Sequence, residues 1–177
     1  MRKTAFRSMA AMAALICVAV PAAAAVDGVG DSGFQVTQTA HVAASPDKVY
    51  DALIVPSRWW DSAHTFSQSA ANLTLDARAG GCWCEAMPGG GTAQHMTVVY
   101  ALPGKILRLR GALGPLQGMG VDGSMTWSLK PGNGGTDITL TYNVGGYAND
   151  GFAMLSKAVD TVLAEQLARL AQSTTSR

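Results

Sequence analysis

Two strand-like runs followed by one long amphipathic helix close this chain, and they leave it few ways to fold. Val121–Lys130 and Thr136–Val144 alternate apolar and polar residues with the period of a strand, joined by Gly132, Asn133, Gly134 and Gly135. From about Asp150 to Ala171 the spacing becomes helical. Phe152, Leu155, Val159, Leu163 and Leu170 share one side, with Val162 and Leu167 flanking; Lys157, Thr161, Ala164, Glu165 and Ala168 lie opposite. Glu165 and Arg169 are spaced for a helical ion pair. Antiparallel strands closed by a single helix must bury their apolar faces against it. A curved sheet gripping the helix is the expected solution, with a cavity between the two.

Residues 1–25 read as a targeting segment rather than as part of that fold. Arg2, Lys3 and Arg7 precede the apolar run Met9–Val20, which is shorter than the ~20 residues a membrane-spanning helix needs. Pro21 ends the run, and Ala22–Ala25 offer small-residue cleavage sites, with the cut expected after Ala25. Ile16 before Cys17 argues against a lipid-modified signal, which wants a small residue there. Export to a bacterial periplasm is the expectation, with no stable membrane anchor after cleavage. Loss of the segment leaves ten basic residues against twelve acidic ones. No basic stripe survives, so a nucleic-acid partner is not expected. The remainder is one domain's worth of chain.

Val26–Gly33 is rich in Gly and Asp and reads as a flexible lead-in. A strand over Phe34–Ala44 places Phe34, Val36, Ala40, Val42 and Ala44 on one face, with Gln38 the one polar residue among them; His41 belongs to the solvent face. Ser45-Pro46-Asp47 is a helix start: an N-cap serine, proline at the first position, an acid in the first turn. A short turn carrying Trp59 and Trp60 follows. Further strands are expected at Leu73–Ala77, Cys82–Met87, Thr92–Leu102 and Lys105–Gly111, joined by Gly- and Pro-rich links that favour hairpins. The domain is expected over residues 34–172, with 173–177 a polar tail.

These elements resemble the START-like, or SRPBCC, superfamily. The likeness lies in strand–Ser45-Pro46–helix, Trp59-Trp60, Leu75-Asp76 to Gly80-Gly81-Cys82-Trp83-Cys84-Glu85, Leu107–Leu116 and Val159–Leu170. It spans nearly all of the chain after the targeting segment. It implies a helix-grip α+β fold: a curved seven-stranded antiparallel sheet around a long C-terminal helix, two short helices after the first strand, and a deep apolar cavity. Members hold lipids, sterols, polyketides or plant hormones, and some are aromatase/cyclases. The branch is often labelled after polyketide cyclase/dehydrase or after activators of the heat-shock-protein ATPase. Export argues against the co-chaperone role. The family has no universal catalytic motif and implies no cofactor.

The expected ligand is therefore an apolar or amphipathic small molecule, in a carrier or binding protein. An enzyme of the cyclase/dehydratase kind and an interaction module with an incidental cavity are the alternatives. Alternation points Met125, Trp127, Leu140 and Tyr142 inward, to face Phe152, Leu155 and Val159, with Trp60 as a further wall. Tyr142 carries a phenol that needs a partner when buried and is a natural polar anchor for a ligand. Glu85, His95 and Asp122 are the acid/base candidates, and His64 a candidate gate. On the strand holding His95, the more apolar face is Met96, Val98, Tyr100 and Leu102, so His95 is expected to point outward. Gly118–Gly123 fits G-x-G-x-x-G, but a strand follows it where a dinucleotide site needs a helix, so the glycines read as a pliable loop at the cavity mouth. In an extended strand Cys82 and Cys84 sit about 7 Å apart, beyond comfortable bridging range. They read as two half-buried thiols, with a strained bridge across a bulge, or a metal or redox role, as alternatives. Two cysteines alone are a poor zinc set, and no metal is expected.

Overall fold

The computed structural model describes residues 23–175; the expected targeting segment lies outside them except for Ala23–Ala25. Eight strands form one antiparallel sheet: β1 (Ala23–Gly30), β2 (Gly33–Val42), β3 (Leu73–Leu75), β4 (Cys82–Ala86), β5 (Thr92–Leu102), β6 (Ile106–Arg110), β7 (Gly120–Gly132) and β8 (Gly135–Tyr147). Two α-helices accompany them, α1 (Pro46–Leu53) and α2 (Ala153–Thr175). The strand order is β1-β2-β8-β7-β6-β5-β4-β3. The first long strand thus pairs with the last, and the sheet wraps α2.

The expected helix start holds. The Ser45 hydroxyl accepts from the Lys48 amide at 3.4 Å, Pro46 follows, and Asp47 sits in the first turn. The C-terminal half of α2 is sealed into the core, where Leu167 and Leu170 are fully buried. On β2, Gln38 is buried among apolar neighbours, and its Nε2 donates to both the side chain and the backbone carbonyl of Asp160. The misfit noticed on that apolar face is therefore the tie between strand and helix. Trp59 donates from Nε1 to the Ala52 carbonyl at 3.1 Å and meets Trp127 edge-on at 5.8 Å. Met125, Trp127, Leu140 and Ile138 fill the sheet floor beneath α2.

Several expectations need correction. Val26–Gly30 is not a flexible lead-in but part of β1, which pairs along β2 with an irregularity between Val26 and Gly28. Gln35 Nε2 donates to Asp27 across this hairpin at 3.0 Å, so the polar side chains serve the outer face of a strand. This edge strand brings the sheet to eight rather than seven. Helix α2 continues to Thr175, and the hydroxyls of Ser173, Thr174 and Thr175 donate back to carbonyls three residues earlier. Glu165 and Arg169 do not pair with each other. Glu165 approaches His64 at 3.5 Å, while Arg169 bonds Asp61 at 3.2 Å and the Trp59 carbonyl at 2.9 Å.

The largest correction concerns β5, where two bulges break the alternation. Trp83 of β4 pairs with Met96 and Cys84 pairs with Gln94, which leaves His95 without a partner. A bulge places two successive residues opposite one, and here His95 and Met96 are both buried. A second skip falls between Val98 and Tyr100 on the β6 side. It turns Val99 and Tyr100 both outward, so Tyr100 and Leu102 are exposed rather than inward. His95 consequently points into the molecule.

Cys82 and Cys84 form a disulfide, against the expectation of free thiols. Beside the bulge, β4 is far from extended: the two Cα atoms are 5.4 Å apart, inside bridging range. Trp83 and Glu85 face the interior, and the bridge lies on the outer side of β4. Alkylation of the folded, unreduced protein should label neither Cys82 nor Cys84, and prior reduction should expose both, as read by intact mass.

Candidate functional site

A cavity of about 280 Å³ opens where the N-terminal half of α2 stands away from the sheet. Leu155, Val159 and Val162 of the helix form one wall. The segment from Trp60 to Phe66 forms a second, and the turn from Leu113 to Leu116 a third. His95 and Tyr142 come up from the sheet. The volume lies near the lower end of the ~300–1,000 Å³ typical of small-molecule sites, and the lining is largely apolar, as in such sites.

Local structure explains each wall. The Asp61 side chain caps a short 3₁₀ turn, accepting from the Ala63 amide at 2.8 Å. The same segment is fastened to α2, because the Asp61 amide donates to Gln166 Oε1 at 2.8 Å. Trp60 donates from Nε1 to the His64 carbonyl at 2.9 Å and stands edge-on against Trp83 at 4.9 Å. His64 itself lies on the rim, linked to Glu165 of α2. The Leu113–Leu116 turn is pinned by Tyr142, whose hydroxyl accepts from the Leu113 amide at 3.0 Å and donates to the Gly111 carbonyl at 2.9 Å. Burial pushes the Tyr142 phenol up to about 12. The phenol is therefore spent on backbone partners and anchors the loop rather than a ligand. Gly123 makes room for it: an added Cβ there would lie 2.5 Å from the Tyr142 ring. Within G-x-G-x-x-G, this glycine has a packing role.

The charged centre of the site is a pair. His95 Nε2 lies 2.9 Å from Glu85 Oε2, with the two residues 5% and 1% exposed. Glu85 also accepts from the backbone amides of Phe66, at 3.1 Å, and Ser67. Burial pushes its carboxyl up, but the hydrogen bonds from Ser67, His95 and Phe66 outweigh that and hold it below the ordinary value. An ionised carboxylate only accepts, so the proton in this contact resides on His95 Nε2. Nδ1 then presents a lone pair in the neutral imidazole. Its nearest polar neighbour is Gln117 Nε2, at 3.4 Å, which also donates to the Gln94 carbonyl at 3.0 Å. Phe66 stacks on the imidazole at 5.5 Å. A carboxylate that fixes a neighbouring imidazole tautomer is an arrangement suited to binding a donor or accepting a proton.

Of the residues expected at the cavity, Trp60, Tyr142, Leu155 and Val159 line it. Met125, Trp127, Leu140 and Phe152 do not; they are packed shut in the core, Phe152 against Phe34 at 5.9 Å. The outer half of α2 borders the void and its inner half closes it. Asp122 is exposed, bonded to Arg110 Nε at 2.9 Å, and away from the cavity lining. The Arg110 hydrogen bond holds its carboxyl below the usual range. Phe66 and Trp83 were missed. Phe66 had a signal, as a lone aromatic in a polar segment; Trp83 had none beyond its type.

The sheet, helix and cavity define a helix-grip domain. A family model described as polyketide cyclase / dehydrase and lipid transport matches residues 33–174, and the chain belongs to that family, within the START-like superfamily. No curated protein matches the sequence. Among solved structures, protein CV1439 from Chromobacterium violaceum is similar, at 19% identity and TM-score 0.57, covering 81% of this chain and 98% of that one. Protein Ms6760 from Mycobacterium smegmatis is similar at 14% identity and TM-score 0.56, covering 86% and 99%. Ara h 8.0201 is similar at 11% identity and TM-score 0.59, covering 85% and 100%. At such identities the likeness is one of fold.

Glu85 ties three donors together, so its loss should show in stability. Its folded-state value is depressed, so its contribution is present above the ordinary value of 4.5 and is lost as pH falls through the depressed value. Glu85→Gln should cost about 1–3 kcal/mol at neutral pH. It should also flatten the acid limb of the stability curve, measured by urea denaturation across pH.

Proposed function

We propose that this protein binds one apolar small molecule in the cavity between the sheet and the N-terminal half of α2. The observation that carries the reading is the void itself, walled by Leu155, Val159, Trp60 and Leu113–Leu116, beside a well-buried apolar core. Membership of a family described as polyketide cyclase / dehydrase and lipid transport supports it. The basic and then apolar start of the sequence supports a place of action outside the cytoplasm. Carrying such a molecule through an aqueous compartment suits a site this poor in charge.

The test is occupancy. Native mass spectrometry of protein purified from its own host should show a single apolar adduct, and the emptied protein should brighten the neutral dye N-phenyl-1-naphthylamine. Val159→Trp fills the space beside Leu155 and should abolish dye binding while leaving the melting temperature within a few degrees. An absence of both adduct and dye response in the native chain would remove the proposal.

A second reading rests on the His95–Glu85 pair. With Nε2–H held by the carboxylate, Nδ1 is a base beside the bound molecule, and an enzyme of the cyclase or dehydratase kind has use for one. Incubation with 2-tetralone in D₂O should then speed exchange of its α-hydrogens, followed by NMR. His95→Gln should abolish the acceleration, and exchange at the buffer rate in the native protein argues for binding alone.

A further inference from the structure

The polar groups at the cavity floor are few, and most are already spent. The Tyr142 hydroxyl serves Gly111 and Leu113. The Thr65 hydroxyl donates to the Ser62 carbonyl at 2.8 Å. The Glu85 carboxylate is held by His95 and two backbone amides. His64, on the rim, is part-exposed and turned to Glu165 at 3.5 Å. Two buried groups are left with something to offer. One is the Nδ1 lone pair of His95, whose contact with Gln117 is long at 3.4 Å. The other is the indole N–H of Trp83, a residue 3% exposed, whose Nε1 has no hydrogen-bond partner among the described residues.

These two residues share one place. A small annex of about 20 Å³ adjoins the main cavity, and Trp83, His95, His64, Trp60 and Leu73 are among the residues that border it. About 10–15 Å³ suffices for one water-sized group. The annex therefore has room for one oxygen atom, between a residue that lacks an acceptor and one that lacks a strong donor. No lysine or arginine is among the described residues lining either space. Glu85 lies directly behind His95, so a carboxylate or phosphate head would meet like charge and a lone pair. A ketone would use the Trp83 N–H and leave Nδ1 unserved; an ammonium would do the reverse. A hydroxyl is one donor and one acceptor together.

We infer that the cavity selects an uncharged ligand bearing a hydroxyl group, an alcohol or a phenol, whose O–H donates to His95 Nδ1 and whose oxygen accepts from Trp83 Nε1–H. The inference rests on the cavity being a binding site, and adds which head group it reads. Glu85 acts here as a positioning residue, through the tautomer it imposes on His95.

The experiment is competition against bound N-phenyl-1-naphthylamine by three probes that share one ring system: 2-naphthol, naphthalene and 2-naphthoate. 2-Naphthol should bind about tenfold more tightly than naphthalene, the effect of satisfying one unpaired buried donor and one weakly paired buried acceptor. 2-Naphthoate should be the weakest. Trp83→Phe and His95→Phe should each lower the naphthol-to-naphthalene ratio towards one. Two variants guard against either one failing to fold, which thermal melting would show. Equal affinity for naphthol and naphthalene, or a preference for naphthoate, would overturn the hydroxyl assignment and leave the cavity reading standing. Failure of the dye itself to bind would remove both.

Discussion

One helix has to cover the concave face of an eight-stranded sheet, and it is not large enough to do so along its whole length. That mismatch organises the molecule. Leu167 and Leu170 are fully buried and close the core. Further towards the N-terminus of α2, Leu155 and Val159 face a space instead. Close packing elsewhere makes the space meaningful, because protein interiors tolerate few voids larger than a water. The tethers from α2 to its surroundings run from Gln38 on β2 and from Gln166 and Arg169 to the Trp59–Asp61 segment. They hold the helix in place without filling the gap.

The Glu85–His95 pair has a structural and a chemical role at once. The carboxylate collects amides from the Phe66–Ser67 segment and a ring N–H from β5, so it fastens a cavity wall to the sheet. A buried charge is costly unless it is paired and hydrogen-bonded, and three donors meet that demand. The same contacts decide which nitrogen of His95 carries a proton. A group needed for folding thereby sets the polarity of the cavity floor.

The alternation of the last two strands, the capped first helix and the apolar side of α2 were legible because each depends on neighbours in sequence. So was the direction of Tyr142 and Trp127, since β7 and β8 pair in register along their whole length. The face of His95 was not legible. Its reading assumed unbroken alternation along β5, and a bulge shifts that parity by one residue. No pattern of apolar residues announces such a skip; it arises from fitting a curved sheet around a helix. The bridge between Cys82 and Cys84 ranked only as an alternative for a related reason, because extended-strand spacing does not hold next to a distorted ladder.

By itself, the sequence determined the class of fold, the order of its elements and the residues available to form a core. Hydrophobic periodicity and turn chemistry are local, so they can be read from the chain directly. Only the tertiary structure decided which apolar residues close the core and which border a void. Met125, Trp127, Leu140 and Phe152 fell on one side of that division, and Trp60, Leu155 and Val159 on the other. It also brought Glu85, His95 and Trp83 to one spot, through strand pairing and a bulge. These outcomes depend on how far apart two surfaces stand, and that distance is a property of the folded whole.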